Sequence, residues 1–506
     1  MGLKNMILLP PLIVSKLIIV ATLTFFVCSS LRHFLFYSTG FDLGIYDQAI
    51  YLISQGKSPI SSFLGHHYLG DHAAWAAYPL GLFYIIYPDV HWLLFLQALC
   101  LALGSWPTWC LARLAGLSQG QAVAIAISYL LYPVIFNVNL FDFHAEVMAL
   151  PAILGAILAA RLKRIFWFCV AIIWVLGCKA VLSLTVAFMG LWLLTFEKRK
   201  FCGLIALFLG MVWFIVVTQG IIPFFSGQEV AGVARYSYLG NSVVEIIINV
   251  LLQPGIVLGK VFSWENIKYI FLLFLPIIWV IFPLRQTNKT ILPNFIPLIP
   301  TIPTIIINVL SEISFQRSLN YQYSLPAISF LLLVVISCLA PASSKERRKK
   351  EENENIQIES TWISKLEIPK FNLRLPIPNF QYPPIIILWS TLIFLLVGNF
   401  GSLFSPVSSL DTWQATNKAI SYVKTKGGVL TDNRLAPHFT HRSIVKLLNQ
   451  TEPDNLDEFD YVVLNLRHPW PDTEKEGIIL FKSLQNNQEW KLNYQENDVI
   501  VFGRKK

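Results

Sequence analysis

Three short polar stretches interrupt an otherwise apolar first half and hold most of its acidic and imidazole side chains. They are Gly40-Phe41-Asp42-Leu43-Gly44-Ile45-Tyr46-Asp47-Gln48, His66-His67-Tyr68-Leu69-Gly70-Asp71-His72 and Asp142-Phe143-His144-Ala145-Glu146. A carboxylate so placed can take the proton of an acceptor hydroxyl or ligate a cation. On a helix, Asp42 and Asp47 would stand about 140° apart, so only one can be central. Asp42 is the choice for a base; its other reading is a cap on a juxtamembrane helix. Imidazole beside carboxylate, as in Asp71 and His72, suits a divalent cation or, when protonated, a phosphate. The spacing matches no zinc template, and His66 and His67 read equally well as polar residues of an interfacial turn. In the third stretch, extended backbone would point Asp142, His144 and Glu146 one way. Helical backbone would instead pair Asp142 with Glu146. Solvation by lipid headgroups is the bland alternative for all three.

A second set is cationic: Lys179, Arg235 and Arg317. Such groups would stabilise a departing phosphate as its charge accumulates, or they contact headgroups and snorkel. Lys179 stands apart because it breaks an apolar run, where an unpaired ammonium is costly and calls for an anionic partner. In the tail, Asp432-Asn433-Arg434-Leu435-Ala436-Pro437-His438-Phe439-Thr440-His441-Arg442 follows a strand and could bind a sugar or an anion, or merely cap a helix.

The elements that must hold these residues are mostly membrane spans. Of 506 residues, 55% are hydrophobic and only 14% charged, against about 25% charged in a soluble domain. The formal charge of +9 reflects Lys and Arg retained at one face of the membrane. No basic face is interleaved with exposed aromatics, so nucleic acid is not an expected partner, whereas membrane lipids are. All seven cysteines lie in apolar segments without a CxxC, which implies neither a disulfide framework nor zinc. The apolar run from Leu17 to about Phe36 is too long for a signal-peptide core, which spans about 7–15 residues, and reads as an uncleaved first span.

Alternating basic clusters give the orientation. Spans are expected near 12–36, 91–112, 121–137, 147–160, 201–222, 267–284, 293–310 and 323–339, with residues 385–400 as the last. Ile165–Phe196 has basic flanks at both ends and is predicted to be two short spans meeting at Lys179. Residues 72–87 and 243–258 should lie along the membrane surface. Pro293, Pro297, Pro300 and Pro303 must break the ninth span. The three polar stretches then face away from the cytoplasm. From about Ser402 the composition turns soluble. A helix is expected over 412–424, strands at 428–430 and within 456–466, and a hairpin of 490–494 with 498–502.

The expected fold is therefore mainly α: a polytopic transmembrane helical protein of about eleven spans with a small carboxy-terminal α/β domain outside the cytoplasm. Its divisions are residues 1–342, a charged and Pro-rich cytoplasmic linker at 343–384, a last span at 385–401, and the domain at 402–506.

The stretches Phe41-Asp42-Leu43-Gly44-Ile45-Tyr46-Asp47-Gln48, Gly70-Asp71-His72, Asp142-Phe143-His144-Ala145-Glu146, Tyr238-Leu239-Gly240 and Leu435-Ala436-Pro437-His438 resemble a bacterial predicted-membrane-protein family, the domain of unknown function 2079. That family is distantly similar to the GT-C membrane glycosyltransferases, an analogy at the level of fold. The resemblance implies a GT-C-like module in a bacterial plasma membrane, a polyprenyl-phosphate-linked sugar as donor, and Asp42 as the base near the acceptor. Asp47, Asp71, His72, Asp142, His144, Glu146, Lys179, Arg235 and Arg317 would bind substrate. A divalent cation, if used, would draw on Asp42, Asp71, His72, Asp142 and His144. One departure stands out: the family pattern has acids after the lysine matching Lys179, where this chain has Ala180 and Val181. The competing expectations are a non-enzymatic transporter or lipid-binding envelope assembly protein and, last, a surface sensor.

Overall fold

The computed structural model describes residues 9–280, 292–341, 382–450, 456–471 and 473–505. Most of the expected linker, with the basic residues Arg285 and Lys289, lies outside the described residues.

Long helices run over Leu12–Phe34, His91–Leu114, Gln119–Phe141, Lys200–Ser226 and Gln322–Leu339, each long and apolar enough to cross a membrane. Two bent pairs, Val243–Leu252 with Pro254–Val261 and Pro383–Val397 with Phe400–Ser421, raise the number among the described residues to seven if each counts as one span. Of the other expected spans, 165–196 is present as the shorter apolar helices Ile165–Cys178 and Leu182–Thr195, and 267–284 lies partly outside the described residues, while the stretch 243–258, expected along the membrane surface, falls in the first bent pair. Those two are separate helices with Lys179 extended between them. The prolines break the ninth span as expected: tight turns at Leu292–Asn294 and Ile296–Thr301 precede a regular helix at Ile302–Leu310.

The helices divide by what they touch. Leu12–Phe34 leaves Ile13, Val20, Leu23 and Val27 exposed, a face that only lipid would solvate well, whereas most of Gln119–Phe141 is buried against other helices. Close approach is bought with small residues. A Cβ on Gly203 would lie 2.7 Å from the Leu194 amide nitrogen, and one on Gly190 would lie 2.3 Å from that of Leu207. The helices Leu182–Thr195 and Lys200–Val216 thus meet backbone to backbone, as small residues allow in lipid.

The carboxy-terminal region is a five-stranded mixed sheet. Numbering the short hairpin Ile60–Ser61 and His66–His67 as β1 and β2, its strands are β3 (Val429–Thr431), β4 (Val445–Leu447), β5 (Tyr461–Asn465), β6 (Trp490–Glu496) and β7 (Val499–Arg504). Their order is β4-β3-β5-β7-β6, with β3 parallel to β4 and β5, and β7 antiparallel to β5 and β6. Side chains alternate as the pleat requires. Leu430, Val462, Leu464, Ile500 and Phe502 form one core with Leu480 and Leu484 of the helix Glu474–Asn486. Val429, Val463, Val499 and Val501 join the core that continues into the membrane helices. The sheet is therefore docked onto the membrane part: Trp413 donates to the carbonyl of Phe34 at 3.1 Å.

Candidate functional site

Asp42 lies in a π-helical turn, Gly40–Gly44, that leads into the helix Ile45–Ser54. Such turns recur at functional sites. Its carboxylate caps no helix. One oxygen meets His144 Nε2 at 3.1 Å, and the other accepts from Thr39 Oγ1 at 3.0 Å. Burial opposes the charge, but these bonds outweigh it and hold the Asp42 carboxyl below the usual range. Burial likewise opposes the imidazolium of His144. The bond to Asp42 prevails and raises its pKa.

Asp142 sits behind this pair. It accepts from both the amide and the hydroxyl of Thr39, each at 2.9 Å. One hydroxyl hydrogen cannot serve two carboxylates at once, so the shared Thr39 suits one ionised acid of the two. Burial, then the nearby Asp42 charge, pushes Asp142 up to about 7 against the pull of Arg32. Its backbone, at φ 130° and ψ 170°, occupies a region nearly reserved for glycine. The third stretch is thus neither a strand nor a helix at its start. Asp142 and His144 turn toward Thr39 and Asp42, and Glu146 opens the helix Glu146–Arg161.

Glu146 pairs with Lys179, the anionic partner an intramembrane ammonium needs. The other Glu146 carboxylate oxygen is buried with no hydrogen-bond partner among the described residues. Lys179 Nζ lies 5.9 Å from the ring of Tyr323, and the Arg235 guanidinium lies 5.5 Å from the same ring. Asp71 stands close enough to feel the charges of Lys179, Arg235 and Asp42; its own burial raises its pKa. His72 Nε2 is 3.4 Å from the Asp71 carboxylate, and burial holds His72 well below its usual value. The side chains of Asp42, Asp71 and His72 keep 27%, 21% and 33% of their surface exposed, so they form the accessible edge of a mostly buried cluster.

Two expected substrate ligands point elsewhere. Asp47 is buried against the tail, bonded to Tyr84 and Thr440, with His441 Nε2 at 3.2 Å. Arg317 donates to the carbonyl of Ser311 within its own loop. Thr39, Tyr321 and Tyr323 were not singled out in the sequence. Tyr321 packs edge-on against Phe141, which stacks on His144. Tyr321 just precedes the span Gln322–Leu339 and Tyr323 lies at its start, and aromatic residues at a membrane boundary usually signal only an interface.

A divalent cation does not fit the described residues as they stand. No three His, Cys, Asp or Glu side chains among them are gathered at ligating geometry; the acids and imidazoles are engaged as the pairs Asp42–His144 and Asp71–His72.

Helices around a buried acid–imidazole–ammonium cluster, with a docked sheet domain, define a polytopic membrane protein of the GT-C-like fold. The structure of ArnT from Cupriavidus metallidurans bound to undecaprenyl phosphate is similar over 97% of both chains, with a TM-score of 0.55 and 12% identity. The apo structure of that ArnT gives 0.54 and 13%, again over 97% of both chains. Comparison with curated proteins by sequence gives no match. The chain belongs to the family described as "Predicted membrane protein (DUF2079)", which matches residues 32–501.

Proposed function

We propose that the protein is a membrane glycosyltransferase that moves a sugar from a polyprenyl-phosphate donor to an acceptor hydroxyl on the extracytoplasmic face of a bacterial plasma membrane. The observation that carries this reading is the convergence of Asp42, His144, Glu146 and Lys179, with Asp71 at the edge, from chain segments far apart in sequence. The ArnT fold, seen with undecaprenyl phosphate bound, supports a polyprenyl phosphate as the partner.

In this reading the Asp42 carboxylate takes the proton of the acceptor hydroxyl as its oxygen bonds to the sugar carbon from the side opposite the phosphate. The bond from that carbon to the phosphate oxygen breaks, and the polyprenyl phosphate leaves with the electron pair. His144 and Thr39 hold the base in orientation. Lys179 and Arg235, gathered at Tyr323, meet the leaving phosphate's charge. Residues 1–342 and 385–401 form the membrane module and residues 402–506 an extracytoplasmic domain.

The test is incubation of purified protein with a panel of polyprenyl-phosphate sugars, with and without magnesium or manganese. Sugar transfer is expected, and Asp42→Asn should lower turnover by about 10²–10⁴-fold. A variant retaining full transfer would remove Asp42 from the base's role. Uptake into vesicles with no covalent product would favour a transporter.

A further inference from the structure

We infer that Asn433 of the carboxy-terminal domain is a positioning residue for Asp42. The inference rests on the reading of Asp42 as the base. The Asn433 side-chain oxygen accepts from the backbone amides of Gly40 at 2.8 Å and Phe41 at 3.2 Å, and the Asn433 backbone carbonyl accepts from Gly40 at 2.8 Å. These are opening amides of the turn that carries Asp42. The first amides of a helical turn have no partner within it, so the tail supplies what the turn cannot.

The fit is close and rigid on both sides. A Cβ on Gly40 would lie 3.0 Å from Ala436 Cβ and 3.2 Å from Asn433 Oδ1. Asn433 is itself fixed by Asp432, whose carboxylate accepts from the amides of Arg434 at 2.8 Å and Leu435 at 3.0 Å. The far side of the turn is tied to the same tail loop, through Asp47 to Thr440 and through Gln48 to the Arg442 carbonyl at 3.1 Å. The domain thus holds the backbone amides just before Asp42 and the side chains of Asp47 and Gln48 on the helix after it, while the bonds of the Asp42 carboxylate run to Thr39 and His144. Its task is to hold the base's backbone at the distance from His144 at which their bond forms.

The experiment compares the full-length wild type with Asn433→Ala and Asn433→Asp in detergent. Backbone hydrogen exchange is followed over residues 39–44 and over the strands β3 and β5. Alanine removes the acceptor of the Phe41 amide but leaves the carbonyl that serves Gly40. Exchange at Phe41 should therefore speed up at least tenfold, with that at Gly40 changing less and the strands unchanged. Aspartate keeps an acceptor oxygen and should restore protection. On a sugar donor that the wild type uses, Asn433→Ala should lower kcat by about ten- to a hundredfold at unchanged donor KM, since a small misplacement of a reacting group is costly; Asn433→Asp should recover most of it. Unchanged exchange at Phe41, loss of protection throughout the sheet, or a kcat equal to the wild type's would each overturn the inference. Wild-type protein inactive on every donor would instead overturn the transferase reading, and the exchange result would still decide whether Asn433 holds the turn.

Discussion

Asp142→Asn offers a direct test of the buried acid pair. Asp142 has its pKa pushed from 3.8 to about 7. The folded state therefore holds a proton that the unfolded state releases above about pH 4. The sign follows: the contribution to stability is largest below that pH and is lost as pH rises to about 7. Three pKa units at about 1.36 kcal/mol each come to about 4 kcal/mol across that window. Solvent screening takes little away, because Asp142 is only 4% exposed. Asparagine keeps the size, the backbone burden and an oxygen for the Thr39 amide and hydroxyl, yet cannot ionise. The assay is the unfolding midpoint of wild type and variant in detergent at pH 5, 6.5 and 8. The variant should gain on the wild type as pH rises, by several degrees at the upper end. A difference that stays flat, or a variant that falls further behind at pH 8, would refute the claim that Asp142 is held protonated beside Asp42.

The remaining predictions concern packing and pairing. Lys179→Met leaves the buried Glu146 carboxylate uncompensated and should cost about 3–5 kcal/mol, read as a lower unfolding midpoint. Adding Glu146→Gln should return most of that loss, and no recovery would mean that the two side chains act separately. Gly203→Val forces a side chain toward the Leu194 backbone and should cost about 1–3 kcal/mol or abolish folding. Gly155→Ala, where a Cβ meets nothing within 4 Å, should be neutral or mildly stabilising under the same assay.

Much of the architecture is legible residue by residue. The basic flanks at both ends of Ile165–Phe196 already demand a break between two helices, and Lys179, lone in that apolar run, demands a carboxylate; both are present in the structure. The short apolar run Tyr461–Leu464, and the pair 490–494 and 498–502 separated by polar turn residues, predict β5 and the β6–β7 hairpin, because a short β-prone run bounded by turn residues is a local signal. Two elements are not legible. β4 is only three residues long and exists because β3 offers it a parallel edge. The helix Glu474–Asn486 follows a polar stretch that reads as loop, and its apolar side, Leu480 and Leu484, has meaning only against the sheet.

For the site, the division follows sequence distance. Residue types alone determined that polar loops would cluster acids and imidazoles at the membrane boundary, since lipid excludes them from the spans. Which of them meet was decided only by the tertiary fold. Asp42 and Asp47 lie within one short stretch, yet one bonds to His144 and the other to Thr440. Asn433 reaches Gly40 and Phe41 across nearly 400 residues of chain. Local pattern carries no information about such partners, because a hydrogen bond depends on where two backbones are brought together and not on their spacing in the chain.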